Sequence, residues 1–222
     1  FTQAKVAQNM DSEIGDITDL NRITASMKAF NPEVFIHLAA QPLVRLSYQE
    51  PVLTYATNVM GTVNVLEAAR KCTNLKAIVS VTTDKCYENK EGPWEYCEND
   101  HMGGHDPYSS SKACSELVSS AYRRSFFQES GIALATARAG NVIGGGDWAV
   151  DRIVPDAMRA FMSSKSLLVR FASDETANTD PSAYYDLAFQ PHTMFPEANT
   201  AVEVKTALAK AGVSVAQEIK IN

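Results

Sequence analysis

Tyr108 and Lys112 stand four residues apart in YSSSK, a spacing that places both side chains on one face of a helix. A phenol titrates near ~10, and a neighbouring ammonium lowers that value by favouring the phenolate. Such a tyrosine is a usable base at neutral pH, although the same spacing also describes an ordinary surface pair. Thr83 closes a buried apolar run 25 residues earlier, and its hydroxyl can bond the same substrate oxygen that Tyr108 would deprotonate. Asn58 lies near the start of the preceding helix, placed to hold a water or a backbone group in a proton relay.

The elements that position these residues alternate. Glu33 to Ala40 (EVFIHLAA) has the short apolar run of a buried strand, as do Lys76 to Thr82 and Ile132 to Ala139. Between the first two, Val59, Val63 and Leu66 recur as one face of a helix, with Gly61 mildly against it. Between the last two, the series Ala113, Leu117, Ala121 and its neighbour Cys114, Val118, Tyr122 mark a second helix from Tyr108, stopped by Gly131. A turn-rich loop with Gly92, Pro93, Gly103, Gly104 and Pro107 separates Thr83 from Tyr108, and VPDAMRAFM is a further helical stretch. Strands alternating with helices of this length predict an α/β fold, a parallel sheet with right-handed crossovers and helices on both faces. Ligands in such sheets lie beyond the carboxyl ends of the strands. That rule selects Ala39, Ala40 and Gln41, then Thr83, Asp84 and Lys85, then Gly140 and Asn141.

Composition narrows the partners. The 222 residues carry a formal charge of -6, which offers no general attraction to nucleic acid or an anionic membrane, so any phosphate site is local. No apolar run approaches the ~20 residues of a membrane span, and the opening residues lack the zones of a signal peptide. The expected compartment is the cytoplasm. Four unevenly spaced cysteines without a CxxC pair read as free thiols rather than a zinc site or disulfide framework. The chain opens on Phe1 rather than methionine, so it is expected to be a piece of something longer.

With Asn58, Thr83, Tyr108 and Lys112 in place, the sequence resembles the extended short-chain dehydrogenase/reductase family, and within it the nucleotide-sugar 4,6-dehydratases. The matching stretches are GDITD at 15–19, HLAAQPLVRLSY at 37–48, TNVMGTVNVLEAAR at 57–70, TTDKCYEN at 82–89, DPYSSSKACSE at 106–116 and RAGNVIGGGDWAVDRIVPD at 138–156. The resemblance implies a Rossmann-like doubly wound sheet binding NAD. Lysine at the third position of Thr83-Asp84-Lys85 resembles the CDP-glucose branch, where glucose-type dehydratases have glutamate, so the implied substrate is a CDP-sugar. Removing water across positions 5 and 6 of a sugar needs an acid for the departing hydroxyl and a base for the carbon proton. The resemblance gives those roles to Asp84 and Lys85, where the plain alternative is a turn at a strand end. GDP-mannose, dTDP-glucose and UDP-sugar dehydratases or epimerases are the nearest rivals, and a non-catalytic remnant of the fold is the other class.

For the cofactor, the resemblance implies that Asp16 and Ile17 of GDITD face the adenine, that Ala39 and Ala40 let backbone approach NAD, and that Tyr108 and Lys112 complete that site. Asp16 serves equally well as a turn or cap residue. Gln41, Arg45, Asn141 and Arg152 are implied to hold the substrate, with Arg138 as much a structural residue as an anion ligand and His37 a core histidine. The glycine-rich GxxGxxG turn of the family belongs well upstream of GDITD, where only 14 residues stand. Residues 1–170 are therefore expected to form a partial catalytic domain without its first unit and with impaired activity, and 171–222 a tail unlike the family, with one amphipathic helix and a strand-like end. A homodimer through the helices following Asn58 and Tyr108 is also implied.

Overall fold

The computed structural model describes residues 8, 10–90, 95–144 and 146–164, in two units divided between Gly140 and Asn141. In the larger unit β1 (Val34–His37), β2 (Ala77–Thr83) and β3 (Ala133–Ala139) pair in that order, all parallel, with Val34 beside Ala77 and Ala77 beside Ala133. The strands begin and end within a few residues of the predicted runs, and their carboxyl ends share one edge. This order is that of one half of a doubly wound sheet, in which strands are added outward from the switch point.

Because successive strands are added in one direction, right-handed crossovers put their helices on one face. The first crossover is α2 (Val44–Gln49) and then one helical run, α3 (Pro51–Tyr55), a π turn (Ala56–Met60) and α4 (Gly61–Ala69). The second is α5 (Pro107–Tyr122), a π turn (Arg123–Phe127) and α6 (Gln128–Ser130). Ahead of the sheet, α1 (Leu20–Phe30) packs on α4. Local chemistry sets the ends of these helices. Asp19 caps α1 by accepting from the Arg22 amide at 3.0 Å; Asp106 caps α5 before Pro107; Gly131 closes α6 at φ 73°, in the left-handed region. Gly61 is required by packing: a Cβ there would stand 2.5 Å from Cδ1 of Ile17.

The covered face changes character along the strands. At their amino ends Phe35, Ile78 and Leu134 lie in register over a core of Met27, Leu66, Ala68, Ala69, Cys72, Leu75 and Phe127. Toward the carboxyl ends the rows become His37, Ser80 and Thr136, then Thr82 and Arg138. The other face corrects the expectation that EVFIHLAA is buried throughout: Val34, Ile36 and Leu38 are 60%, 56% and 70% exposed. One-sided crossovers leave that face uncovered among the described residues.

α5 brings a second correction. The helix is where periodicity placed it, but Leu117 and Ala121 are exposed, and the buried face is Tyr108, Ser111, Lys112, Ser115, Glu116 and Ser119. Small serines let α5 approach α3 and α4 closely, while the charged groups meet the polar end of the sheet. In the smaller unit α7 (Ile153–Met162) fulfils the helix predicted at VPDAMRAFM, and Arg159 ties it to the Trp148 and Ala149 carbonyls at 2.9 and 3.0 Å. The helix and strand expected in the tail fall outside the described residues. No helix of the described residues is long and apolar enough to cross a membrane.

Candidate active site

Tyr108 and Lys112 occupy successive turns of the buried face of α5, with the whole lysine only 7% exposed. The Lys112 ammonium donates to the Val81 carbonyl of β2 at 2.9 Å, two residues before Thr83. This bond fixes the helix register against the strand that carries the threonine. Burial lowers the Lys112 pKa, a shift that Glu116 and Cys86 oppose. His37, on the neighbouring strand, sits 3.3 Å from the Thr62 hydroxyl, and burial, with Lys112 nearby, depresses its pKa to about 4. It is the satisfied core histidine expected of it.

At the end of β2 the chain tightens into a single 3₁₀ turn, Asp84–Cys86, capped by the Thr83 hydroxyl. That hydroxyl donates to Asp84 Oδ1 at 3.1 Å, and the Lys85 ammonium reaches the same oxygen at 3.3 Å. Both charged side chains remain partly open, Lys85 at 26% and Asp84 at 47%. Gly140, after β3, lies alongside, since a Cβ there would be 3.5 Å from Asp84 Oδ2. The structure thus brings Thr83, Asp84, Lys85, Tyr108 and Lys112 to one end of the sheet, where α5 packs on both β2 and the 3₁₀ turn.

Asn58 acts on backbone and scaffold. From within the π turn its Oδ1 accepts from the Gln41 amide at 2.8 Å, and its Nδ2 donates to the Gln41 carbonyl at 3.1 Å and Ser111 Oγ at 2.9 Å. The loop after β1 is thereby tied to α5 one residue before Lys112. Gln41 itself is buried, its amide bonded to the Leu43 backbone at both ends and to Thr54 Oγ1 at 2.9 Å. The structure spends that side chain on shaping the loop. Arg45 is half-buried in α2.

Of the cofactor candidates, Asp16 forms a turn, accepting from the Thr18 amide at 2.8 Å, a bond that holds its carboxyl below the usual range. Ile17 fills the gap left by Gly61, and its carbonyl accepts from Asn64 at 3.1 Å. Ala39 is exposed and Ala40 half-buried just beyond β1. In the smaller unit, Asn141 follows Gly140 directly in the chain, and Arg152 Nε lies 3.5 Å from Asp147 Oδ2.

A family model described as GDP-mannose 4,6 dehydratase matches residues 2–147. The chain belongs to that family. Among curated relatives, this dehydratase-family chain is 54% identical over 175 residues to a CDP-glucose 4,6-dehydratase of Salmonella typhimurium, covering 77% of this chain and 49% of the relative. It is 30% identical over 131 residues to a dTDP-glucose 4,6-dehydratase of the same organism, covering 51% and 36%. The chain spans about half the length, or less, of these relatives. Its fold matches a dTDP-glucose 4,6-dehydratase from Streptomyces venezuelae with NAD and DAU bound, at TM-score 0.65 and 23% identity, over 75% of this chain and 49% of that one. A UDP-glucuronic acid 4-epimerase from Bacillus cereus in complex with UDP-glucuronic acid and NAD matches at TM-score 0.65 and 21% identity, over 77% and 51%. The Rossmann-like sheet is shown by these neighbours.

One residue of this dehydratase-family site carried no role in the sequence reading. Glu116 is 6% exposed and accepts from Thr82, from Thr136 Oγ1 at 2.9 Å and from Arg138 Nη2 at 3.1 Å. Burial pushes its carboxyl up, but hydrogen bonds from Arg138, Thr82 and Thr136 outweigh that and leave it below the ordinary value. The available signal was spacing, since Glu116 continues the stripe of Tyr108 and Lys112 at intervals of four.

Proposed function

We propose that the protein of which these residues are part is an NAD-dependent lyase, a nucleotide-sugar 4,6-dehydratase that converts CDP-glucose to CDP-4-keto-6-deoxyglucose. The observation that carries the reading is the bond from Lys112 to Val81, which holds the helix of Tyr108 and Lys112 against the strand that leads into Thr83 and the Asp84–Lys85 turn. The 54% identity to a CDP-glucose dehydratase supports the choice of nucleotide.

The residues present fit the nicotinamide end of the cofactor: a small exposed Ala39 at the switch-point strand end and the Tyr108–Lys112 pair at the adjoining ends. Asp16 and Ile17 are assigned to its adenine end; no GxxGxxG turn occurs in the 222 residues. Bound NAD supplies a hydride acceptor for position 4 of the sugar and a hydride donor for position 6. Tyr108 takes the proton of the 4-hydroxyl, Thr83 orients that oxygen, and Lys112 favours the phenolate. Lys85 then takes the carbon proton at position 5, and Asp84 gives a proton to the departing 6-hydroxyl.

The 3.3 Å contact between Lys85 and Asp84 gives the two groups a direct path for exchanging a proton. Passage of one proton from the ammonium to the carboxylate produces the neutral amine and the neutral acid together, without net charge, and substrate that excludes water favours the neutral pair. When Lys85 has gained the carbon proton and Asp84 has lost its own, the ion pair is restored, and the solvent-exchangeable Lys85 ammonium then returns a proton to position 5 as position 6 receives hydride. Asn141, Arg45 and Arg152 are assigned to the substrate, with Gln41 acting through the loop it shapes. A second copy of the chain is assigned to the helical runs holding Leu53, Met60 and Leu117, which are 49%, 53% and 60% exposed.

The test is conversion of CDP-glucose in deuterated water with NAD present. A 4-keto product carrying deuterium at position 5 is expected, with turnover falling about 10²- to 10⁴-fold in Tyr108→Phe. A product that keeps its 6-hydroxyl and is inverted at position 4 would make the chain an epimerase instead.

A further inference from the structure

We propose that the Glu116–Arg138 ion pair is a clamp that positions the Asp84–Lys85 turn against Tyr108 and Lys112; its catalytic meaning rests on the dehydratase reading above. Asp84 and Lys85 are partly open and bonded to each other, and Asp84 also accepts from the Thr83 hydroxyl. The residues on either side of the turn are held firmly. Before it, the Thr82 hydroxyl donates to Glu116. After it, the Tyr87 hydroxyl accepts from Arg138 Nη1 at 2.8 Å, with the guanidinium 4.8 Å from the Tyr87 ring centroid. Tyr87 in turn stacks on Tyr96 at 4.8 Å, and Arg138 also donates to the Glu98 carbonyl at 3.0 Å.

Both restraints converge on one buried pair, with side chains 6% and 15% exposed, bonded at 3.1 Å. Glu116 belongs to α5, one turn beyond Lys112, and Arg138 to β3. The clamp therefore couples three elements: the helix with the tyrosine and lysine, the strand that enters the turn, and the neighbouring strand. Burial pushes the Arg138 pKa down, but the bonds to Glu116 and Tyr87 more than offset this, so the guanidinium keeps its charge. Neither residue reaches the reacting atoms; each is a positioning residue. A carboxylate and a planar guanidinium suit the task because one accepts three bonds while the other forks toward three acceptors, Glu116, Tyr87 and the Glu98 carbonyl.

Cys86, in the third position of the turn, reports on the clamp without any turnover. It is fully buried, and burial pushes its thiol pKa up to about 11, so an intact turn keeps it unreactive. Cys97 is exposed, and Cys72 is buried in the apolar core at the far end of the strands. In the full-length protein, Arg138→Lys and Glu116→Gln should raise the alkylation rate of Cys86 roughly tenfold or more through local opening. Peptide mapping should find Cys72 and Cys97 unchanged. With CDP-glucose and NAD, the same variants should lose on the order of 10²-fold in kcat with little change in KM, because a misplaced acid and base slow elimination. They should also accumulate reduced-nicotinamide absorbance, because oxidation by Tyr108 continues. Unchanged Cys86 reactivity would overturn the clamp, and so would a parallel rise at Cys72, which would mean general loosening. If Cys86 responds as expected while the unaltered protein turns over no nucleotide sugar, the clamp stands and the dehydratase reading falls.

Discussion

Lys112 and Lys85 lie near the same end of the sheet and are prepared in opposite ways. Lys112 is buried, bonded to a backbone carbonyl and framed by a polar seam that runs through Glu116 to Arg138. Lys85 is partly open and finds its partner in the adjacent residue, Asp84. A group that must keep one charge beside a phenol gains from a fixed position and from the Glu116 carboxylate, which opposes the pKa drop that burial imposes on Lys112. One that must give up a proton and regain it gains from an exchangeable partner within reach. On the proposed function, the contrast assigns oxidation of the sugar to the preorganised seam and removal of water to the turn.

The largest expected effect separates the two lysines. Lys112→Met should lower turnover by about 10³-fold and suppress reduced-nicotinamide formation with it, since Tyr108 loses its cation. Lys85→Met should lower turnover comparably yet leave that absorbance, because only the later step is blocked. Loss of both signals in Lys85→Met would break the contrast. Next comes stability, measured by urea unfolding. Glu116→Ala strands the Arg138 charge in the seam and should cost about 3–5 kcal/mol.

The third effect depends on pH. The folded pKa of His37 is about 4 against an ordinary 6.5, so the unfolded chain takes the proton first. The stability this contributes is complete above 6.5 and lost as pH falls toward 4, by about 3 kcal/mol. A His37→Gln variant should lack that slope, and an equal slope in both proteins would remove the histidine from the account. Smallest is Asp84→Asn, which opens only a surface-type pair and should change unfolding free energy by less than about 1 kcal/mol. A larger loss would place the turn among the stabilising parts of the fold.

Much of the sheet was legible because apolar runs bounded by polar residues leave little choice in a parallel sheet. The uncovered side of β1 was not, because the same run VFIH describes a strand covered on two faces or on one. Tyr108 and Lys112 were legible from spacing and motif together. Glu116 was not, because a carboxylate on a helix is ordinarily read as solvated, and Arg138, the cation that makes its burial tolerable, lies 22 residues away on another strand. Leu117 misled for the converse reason: periodicity finds apolar residues, and the buried face of α5 is polar. Gln41 was legible by position at a strand end, but not the direction of its amide, which depends on Thr54 and Leu43.

The π turn at Ala56–Met60 lets the long helical run carry one extra residue without turning its two halves away from each other. Such a turn holds one residue more than a regular α-helical turn, so residues before and after it are out of phase by about 100° relative to an unbroken helix. Thr54, Asn58 and Thr62 nevertheless all face inward, at 0%, 2% and 2% exposure. Deleting a single residue there would leave a regular helix with Thr54 and Thr62 seven positions apart, still within about 20° of one face. What the deletion would remove is the widened turn around Asn58, from which that side chain serves Gln41 and Ser111 together. For this segment, a gap of one in a sequence alignment preserves the flanking helical faces and alters the setting of Asn58.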